Sequence, residues 1–300
     1  MSNLLYISKG DFMKLYIVNA CSDLGVHIDG SDKAPSKLIE LTKNIDDVYT
    51  IKKENCIKQK EKNNKEKNIV FLNKFNEQLY NKICSLDDGL VITIGGDHSV
   101  AISSGLASKK KNSNIGVIWI DSHADYHTFD TTISGNIHGM PFATICGQNG
   151  NKLSYFFDGN YFNPKNTVLV GGRDIEDGEY ENLKKAGTTI ITTDDIKKYG
   201  VVNVIKKAIK IAMQNTDGIH VSYDIDVIDP KIAPGVSVKA KNGINVLEAK
   251  EILNELLNQK SKIKSIDLVE YNPDFDIDNK TYNITSSLLE EIINKLKAID

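Results

Sequence analysis

Cysteine and long apolar segments are both scarce in this sequence, and each scarcity excludes a class of protein. The 300 residues contain four cysteines, with no C-x-x-C pair among them. Thiols so widely spaced do not form the dense framework of a disulfide-stapled secreted domain, so we expect reduced thiols and a cytoplasmic protein. No apolar run approaches the roughly 20 residues that a membrane helix needs, and residues 1–12 lack the apolar core of a signal peptide. We therefore expect no membrane span and no membrane partner.

An excess of charge of one sign is also absent. The chain has 37 basic and 40 acidic residues, a net charge of -3, and Arg173 is its only arginine. A nucleic-acid-binding surface needs a positive balance, so we expect no nucleic-acid partner. The hydrophobic fraction of 40% is enough to bury a large core, and no Pro/Gly/Ser-rich linker divides the chain. We therefore predict one domain over residues 1–300.

Two segments differ from the rest of that domain. Met13 offers a second start, so residues 1–12 are predicted to be an N-terminal extension. Residues 52–67 hold seven lysines and three glutamates but almost no apolar side chains. This composition is typical of a solvated loop or an exposed helix, and we predict a Lys-rich surface insertion here.

Short β-rich runs alternate with helical stretches along the chain. The predicted strands are 14–19, 47–51, 90–94, 115–120, 166–170, 188–192, 218–223 and 264–269. Several are apolar on both faces, as strands between two helix layers are, and residues 201–213 and 246–257 show helical periodicity. This β/α alternation predicts a mainly parallel sheet of about eight strands, flanked by helices.

Histidines and aspartates concentrate in one part of the chain, since four of the six histidines lie between residues 98 and 138. The first element of this region is an apolar strand. Two glycines follow it and permit unusual backbone dihedrals, and Asp97 and His98 come next. The strand therefore delivers Asp97 and His98 at its carboxyl end.

Two further strands end in a similar way. Asp121, His123 and Asp125 follow the strand 115–120, and a period of two places all three on one face. Asp224 and Asp226 follow the strand 218–223 at the same spacing. Open parallel sheets bind ligands outside the carboxyl ends of their strands, so we expect all three elements to face one crevice.

The four aspartates of the second and third elements would repel one another in one pocket unless cations were present. Their four charges balance two divalent cations, and a shared carboxylate holds such ions roughly 3.5–4 Å apart. Oxygen-rich ligands with one imidazole per metal favour Mn²⁺, although Co²⁺, Ni²⁺ or Zn²⁺ can occupy such a site in vitro. Two Lewis acids activate a shared water at neutral pH, so the predicted reaction is metal-assisted hydrolysis.

Other interpretations of these residues stay open at this point. A single D-x-H-x-D or D-x-D is equally typical of a strand-end cap or a solvated turn. Spacing alone also permits a two-metal phosphoesterase, although no Lys/Arg clamp accompanies the motifs. We interpret His27, beside a Gly-Asp turn, and His220, in mid-strand, as structural. His127 lies where its strand has ended, and either lines the pocket or is exposed.

With these residues in place, the chain resembles the ureohydrolases, the family of arginase, agmatinase and formimidoylglutamase. The motifs that carry the resemblance are GGDHS (95–99), DSHAD (121–125), SGNIHG (134–139), GGRDIEDGE (171–179), SYDIDVIDP (222–230) and DLVEYNP (267–273). The resemblance implies a three-layer α/β/α fold around an eight-stranded parallel sheet, with two Mn²⁺ per subunit. It also implies a small cationic guanidino substrate and a homo-oligomer, either a trimer or a hexamer.

The resemblance further implies roles for individual residues. One metal would be held by His98, Asp121, Asp125 and Asp224, and the other by His123, Asp121, Asp224 and Asp226. Glu270 resembles the carboxylate that holds the guanidinium, and His138 resembles the catalytic proton shuttle. Arg173 is expected to lock its loop by bidentate pairing with carboxylates.

The substrate-binding residues depart in part from the family pattern. Those implied here are His127, Thr132, Ser134, Asn136, Glu176 and Glu179. Arginase-like sequences read D-x-N-T after the second metal motif, where the Asn contacts the α-carboxylate of arginine, and His127 takes that place here. Glu176 stands where the family has an amine-contacting Asp. These departures leave both arginine and agmatine, which has no carboxylate, as expected substrates.

The sequence therefore predicts a binuclear manganese hydrolase that releases urea. Its substrate would be agmatine, giving putrescine for polyamine biosynthesis, or arginine, giving ornithine in arginine metabolism. One alternative is a formimidoylglutamase that releases formamide and glutamate. Another, from a different class, is a non-catalytic metal-binding relative.

Overall fold

A single β-sheet organises the chain. The computed structural model describes residues 14–61 and 64–297, so the predicted extension over residues 1–12 lies outside the described residues. The strands are β1 Leu15–Cys21, β2 Asp47–Lys52, β3 Leu90–Gly95, β4 Ile115–Ile120, β5 Thr167–Gly172, β6 Thr189–Thr192, β7 Gly218–Asp224 and β8 Ile263–Val269. Each overlaps one of the predicted runs, with boundaries that differ by at most two residues.

All neighbouring strands in the sheet are parallel. Their order is β2-β1-β3-β8-β7-β4-β5-β6. The eight carboxyl ends consequently lie along one edge, which we call the carboxyl edge. The four strands β3, β8, β7 and β4 are contiguous at the centre of the sheet, although β4 and β7 are about a hundred residues apart in the chain.

Helices connect the strands. The α-helices are α1 Ala34–Leu38, α2 Ile69–Cys84, α3 Ala101–Lys111, α4 Pro141–Ile145, α5 Asn151–Ser154, α6 Asp177–Ala186, α7 Thr193–Tyr199, α8 Val201–Ala212, α9 Val246–Leu257 and α10 Lys280–Lys297. Short 3₁₀ turns occur at Ser31–Lys33, Ile39–Thr42, His98–Val100, Ile137–Gly139, Pro164–Asn166, Ile225–Val227, Lys260–Lys262 and Pro273–Phe275. The helices α8 and α9 correspond to the two periodic segments predicted from the sequence.

Two hydrophobic cores lie on opposite faces of the sheet. Along β4, Ile118 and Ile120 belong to one core, whereas Val117 and Trp119 belong to the other, as the period of two requires. The first core takes buried side chains from α1, α7, α8, α9 and α10, and the second takes them from α2, α3, α4, α5 and α6. This arrangement confirms the three-layer α/β/α fold.

The described residues of the Lys-rich segment 52–67 are mostly exposed, but the side chains of Lys58 and Lys67 are almost fully covered. The Lys58 side chain is 8% exposed and Lys67 is 2% exposed. The predicted surface insertion is therefore anchored to the domain at these two positions.

Two findings bear on compartment. No helix of the described residues is both long and apolar enough to cross a bilayer. The four cysteines, all of which are described, are free.

Candidate active site

The ends of the four central strands bring the predicted metal-binding motifs together. His98 begins a 3₁₀ turn after β3, Asp121 follows β4, Asp224 ends β7 and Glu270 follows β8. Between β3 and His98, a Cβ on Gly96 would lie only 1.9 Å from the carbonyl oxygen of Ser22. Glycine is therefore required at this turn, which directs the chain across the carboxyl edge.

The first cluster surrounds the Nδ1 atom of His98. Carboxylate oxygens of Asp121, Asp125 and Asp224 lie 3.0, 3.1 and 3.1 Å from it. All four side chains are buried. Nevertheless, neither His98 Nδ1 nor the Oδ2 atom of Asp125 has an aligned hydrogen-bond partner in the described part of the chain. Buried polar atoms without partners are costly, so this convergence points to a ligand that all four atoms share.

The second cluster surrounds the Nδ1 atom of His123. It lies 2.9 Å from Oδ2 of Asp226 and 3.6 Å from Oδ1 of Asp121. Asp121 therefore directs one oxygen toward His123 and the other toward His98. The two groups that could hold a metal ion, His98–Asp121–Asp125 and Asp121–His123–Asp226, share this residue.

Hydrogen bonds fix the orientation of these carboxylates. Asp121 accepts from the Trp119 indole at 3.0 Å and from the backbone N–H of His123 at 2.7 Å. Asp226 accepts from the Ser122 hydroxyl at 2.6 Å, and the backbone N–H of Asp226 donates to Asp224 at 2.7 Å. The carboxylates are thus positioned by groups that do not themselves enter the cluster.

A series of buried polar side chains also orients His98, through the Nε2 atom on the side away from the cluster. Its Nε2 lies 2.8 Å from the Ser222 hydroxyl, which in turn donates to Asp267 at 3.5 Å. Asp267 also accepts from Ser104 at 2.6 Å and lies 3.2 Å from Nε2 of His220. Because the Ser222 hydroxyl proton goes to Asp267, its oxygen accepts the Nε2 proton of His98, which leaves the Nδ1 lone pair directed into the cluster.

The electrostatics of the cluster follow from its burial and its charges. Burial and the neighbouring carboxylates together raise the pKa of Asp224, and they raise the pKa of Asp125 to about 7. Burial alone would also raise the pKa of Asp121, but the imidazoles of His123 and His98 hold it below its usual range. Burial lowers the pKa of His98, yet the surrounding carboxylates raise it overall. Carboxylates crowded in this way favour bound cations.

The residues therefore fit a pair of divalent metal ions. Each group combines one imidazole with aspartate oxygens, a donor set that suits Mn²⁺ and similar ions. The fit rests on Nδ1 of His98, which faces three carboxylates without an aligned hydrogen bond among the described residues, and on the two oxygens of Asp121 that face different imidazoles.

Glu270 and His138 lie next to the first cluster. The Oε1 atom of Glu270 accepts from the backbone N–H of His98 at 2.7 Å and lies 3.0 Å from Nδ1 of His138. Glu270 and Asp125 have positive φ angles of 67° and 51°. Non-glycine residues adopt this region at a conformational cost, and such residues concentrate at functional sites.

The loop that leads to His138 contains the predicted substrate contacts. Thr132 is buried and accepts from the backbone N–H of Gly135 at 3.0 Å. Asn136 is also buried, and its amide lies 3.0 Å from the His27 imidazole. Ser134 is exposed and accepts from the backbone N–H of Asn136 at 3.2 Å. The loop thus runs from His138, whose side chain is 14% exposed, outward to an exposed rim at Ser134.

His127 is buried and lines this region. Its Nδ1 lies 3.1 Å from the Thr131 hydroxyl, and its Nε2 lies 3.2 Å from Glu176 and 3.6 Å from Glu179. Burial, together with the positive charge of Lys65, lowers the pKa of His127 to about 4. The imidazole is therefore neutral at pH 7, and both of its nitrogens face protein groups.

Glu179 differs from Glu176 in its surroundings. Glu179 is buried and accepts from the backbone N–H groups of Tyr126 and Glu176, at 3.0 and 3.1 Å. Burial, with repulsion from Asp125, raises its pKa to about 8. Glu176 is the residue before α6, and its side chain is 47% exposed, so it is the more accessible of the two carboxylates.

One prediction of residue contacts was wrong. Arg173 does lock a loop, but it pairs with backbone carbonyls and not with carboxylates. Its guanidinium donates to the carbonyls of Val227, Asp226, Ala240 and Lys241 at 2.8–3.1 Å. The reason is geometric, since the segment 226–241 lies next to Arg173 and presents backbone carbonyls to this side chain.

The sequence analysis missed Ser222 and Asp267 as functional residues. Both lie within the quoted motifs, but their importance depends on strand register. Ser222 on β7 is directly opposite Asp267 on β8. A single sequence carries no signal for this register, because the two residues are 45 positions apart. His220 also belongs to this series of buried polar side chains and lies outside both metal groups, as its structural interpretation requires.

Comparison with known proteins gives a consistent result. A match to the Arginase family covers residues 13–295. The arginase of Bacillus subtilis (strain 168) is 33% identical over 290 residues, which are 93% of this chain and 97% of that protein. The arginase of Staphylococcus aureus (strain MRSA252) is 39% identical over 199 residues, 66% of this chain and 65% of that one. The structure of Entamoeba histolytica arginase in complex with L-ornithine superposes with a TM-score of 0.84 at 28% identity, covering 96% of this chain and 99% of that one.

Proposed function

The chain belongs to the arginase family of hydrolases, and we propose that it is a binuclear manganese enzyme that hydrolyses arginine to urea and ornithine. The observation that carries the proposal is the pair of imidazole–carboxylate groups that share Asp121, with Glu270 and His138 beside them. The name of the Bacillus subtilis relative, which matches nearly end to end, favours arginine as the substrate.

We assign the metal ligands as follows. One ion would be held by His98, Asp121, Asp125 and Asp224, and the other by His123, Asp121, Asp224 and Asp226. When bound, two such ions supply Lewis-acid activation of water for attack on a guanidinium carbon. Asp121 and Asp224 are the bridging carboxylates in this assignment, and the four aspartate charges neutralise two divalent ions.

Glu270 would bind and orient the guanidinium. Its Oε1 is engaged by the His98 backbone and by His138, which leaves Oε2 for a substrate N–H. Burial would raise the pKa of Glu270, but the adjacent imidazole of His138 lowers it overall, so the carboxylate stays ionised at neutral pH. An ionised carboxylate in this position attracts the cationic group and fixes its carbon toward the metal ligands.

His138 would move the proton that completes the reaction. Water adds its oxygen to the guanidinium carbon, the bond from that carbon to the side-chain nitrogen breaks, and this nitrogen must gain a proton to leave as an amine. Burial lowers the pKa of His138, but Glu270, Asp125 and Asp97 raise it overall. These carboxylates therefore favour the protonated imidazole, which can deliver its proton to the leaving amine.

Agmatine is the second candidate substrate, and one observation favours it. The nitrogens of His127 face Thr131, Glu176 and Glu179, so this residue offers no donor to a substrate carboxylate. Agmatine has the guanidinium but lacks the carboxylate, so its binding would not require a hydrogen-bond donor at His127.

The test is product formation by the Mn²⁺-loaded protein with arginine, agmatine and formimidoylglutamate in parallel, with urea and formamide both assayed. We expect urea from arginine. Urea from agmatine alone would mean that agmatine, and not arginine, is the substrate. Formamide from formimidoylglutamate would mean that the protein is a formimidoylglutamase. No product from any of the three would mean that the protein is a metal-binding relative without this activity. A cytoplasmic location and a trimeric or hexameric assembly are further proposals, the latter tested by the solution mass of the protein.

A further inference from the structure

The start of the Lys-rich segment 52–67 is tied to the loop that follows β1. Asp23 on this loop is 1% exposed, and it pairs with Lys53 and, at 3.3 Å, with Lys58. Lys58 also donates to the carbonyl of Ile28 at 2.6 Å. At the other end of the segment, the amide of Asn68 donates to the carbonyl of Leu24 at 3.3 Å. These contacts hold the segment against the carboxyl edge.

The end of the segment contacts the loop 129–138 that leads to His138, which we call the substrate loop. Lys67, 2% exposed, donates to the carbonyls of Ser134 at 2.7 Å and Glu61 at 3.3 Å. Lys65 donates to the carbonyls of Phe129 at 2.9 Å and Asp130 at 3.4 Å. The contact is close, because a Cβ on Gly135, whose φ is +68°, would lie 2.6 Å from the carbonyl oxygen of Asn64.

Lys65 and Lys67 form no ion pair with a carboxylate of the described residues, although the charge of Glu61 acts on Lys67 from a longer distance. In the described ranges, every acceptor of these two ammonium groups is a backbone carbonyl, and no carboxylate lies within ion-pair distance of either. A buried ammonium that lacks a carboxylate is costly unless an anion completes its shell. Burial accordingly lowers the pKa of Lys67.

The position of these charges matches one end of the proposed substrate. The loop carries His138 at Glu270 and Ser134 four residues earlier, so Ser134 lies at most about 14 Å further out along the chain. An arginine whose guanidinium lay at Glu270 would extend its amino-acid end outward, in the direction that this loop takes. Three groups that border the same region, Asp125, Glu176 and Glu179, are acidic and would repel a carboxylate.

We infer that Lys65 and Lys67 form a cationic rim that recognises the α-carboxylate of the substrate and so selects arginine over agmatine. This inference rests on the proposed function. In arginase-like sequences an Asn contacts the α-carboxylate. His127 stands at that position here but faces Glu176, so the rim would make this contact instead. Two lysines from a segment that looks like a solvated insertion would thus act as specificity-determining residues.

The experiment compares arginine with agmatine in Lys65→Met and Lys67→Met, using the full-length Mn²⁺-loaded protein. We expect kcat/KM for arginine to fall about tenfold in each variant, mainly through KM, with kcat/KM for agmatine unchanged or higher. The matched control is Lys60→Met, which removes an equal charge from the same segment at an exposed ion pair with Asp29, and should leave the ratio unchanged. Lys67→Arg, which keeps the charge, should retain the preference for arginine.

The outcomes separate the two proposals. Urea from arginine with the same arginine-to-agmatine ratio in wild type and both variants would overturn the rim and leave the proposed function standing. Urea from agmatine with none from arginine in the wild type would also overturn it. No urea from either substrate would instead mean that the proposed function fails. Lys65 is exposed, so Lys65→Met tests the rim even where Lys67→Met does not fold.

Discussion

The Nδ1 atom of His138 lies 3.0 Å from the Oε1 atom of Glu270, and this contact joins the proposed proton donor to the proposed guanidinium anchor. Each group shifts the pKa of the other in the direction that its proposed role requires. The carboxylate raises the pKa of the imidazole against the effect of burial, and the imidazole lowers the pKa of the carboxylate against the same effect. The contact therefore favours an imidazolium beside a carboxylate.

Removing the charge of Glu270 should change the titration of His138. In Glu270→Gln, burial remains and the largest opposing charge is lost, so we expect the pKa of His138 to fall below its wild-type value. The imidazole signals of metal-free protein, followed by NMR between pH 5 and 9, measure this shift. An unchanged midpoint would contradict the coupling between the two groups.

Removing the His138 imidazole should lower turnover without removing metal. A positioned acid–base group contributes roughly 10²- to 10⁴-fold, so kcat of His138→Ala should fall by about that factor. Bound manganese per chain, measured by elemental analysis, should stay at the wild-type level. Loss of metal in parallel with activity would make His138 a ligand and not a proton carrier.

Asp121→Ala should lose bound metal together with activity, because both metal groups contain Asp121. The manganese content of the purified variant is the direct measurement. Asp158→Ala, an exposed carboxylate far from the cluster, is the control and should bind metal normally. If Asp121→Ala kept its full manganese content, the bridging assignment would be lost.

Ser222→Ala should weaken metal binding although Ser222 contacts no metal. The hydroxyl fixes the His98 tautomer, and loss of such an outer partner costs roughly 10- to 100-fold in metal affinity. Titration of metal-free protein with Mn²⁺ measures this change. Ser103→Ala removes another buried hydroxyl, one that donates to the Asn76 carbonyl, and should leave the affinity unchanged. Equal losses in both variants would indicate a general packing effect.

The metal-free protein should become less stable as pH rises through 7 to 8. Asp125 and Glu179 have folded-state pKa values of about 7 and 8, above their unfolded values. Between the unfolded and folded values the folded state therefore binds more protons, and the free energy of unfolding decreases with pH. Calorimetry in EDTA at pH 6 and pH 9 should give the lower Tm at pH 9. Mn²⁺ should raise Tm more at pH 9, since its ligands must be deprotonated, and a Tm that increased with pH in EDTA would refute this expectation.

Much of the fold was predictable because its signals are local. Most of the eight strands are short apolar runs bounded by polar residues, and α8 repeats its buried residues every three to four positions. The metal-binding elements were predictable for the same reason. In DSHAD, the spacing of two predicts that Asp121, His123 and Asp125 lie together. The structure does bring these side chains to the two clusters, although Asp125 leaves the extended conformation with a φ of 51°.

The contacts that distinguish this chain were not predictable in that way. The pairing of Ser222 with Asp267 depends on the register of β7 against β8, and the partners of Arg173 depend on a loop more than fifty residues later. Composition predicted a surface insertion over residues 52–67, and it carries no signal for the burial of Lys67. That burial depends on the Ser134 carbonyl, from a loop 67 residues away.

The sequence by itself determined the alternation of strands and helices and the placement of acidic and imidazole groups at strand ends, because these follow from backbone periodicity over a few residues. The tertiary structure alone decided the strand order that makes β3, β8, β7 and β4 neighbours. It also decided that His127 faces carboxylates and that Lys65 and Lys67 reach the substrate loop. Such contacts join distant parts of the chain, and their energies come from burial and charge pairing that exist only once those parts have packed together.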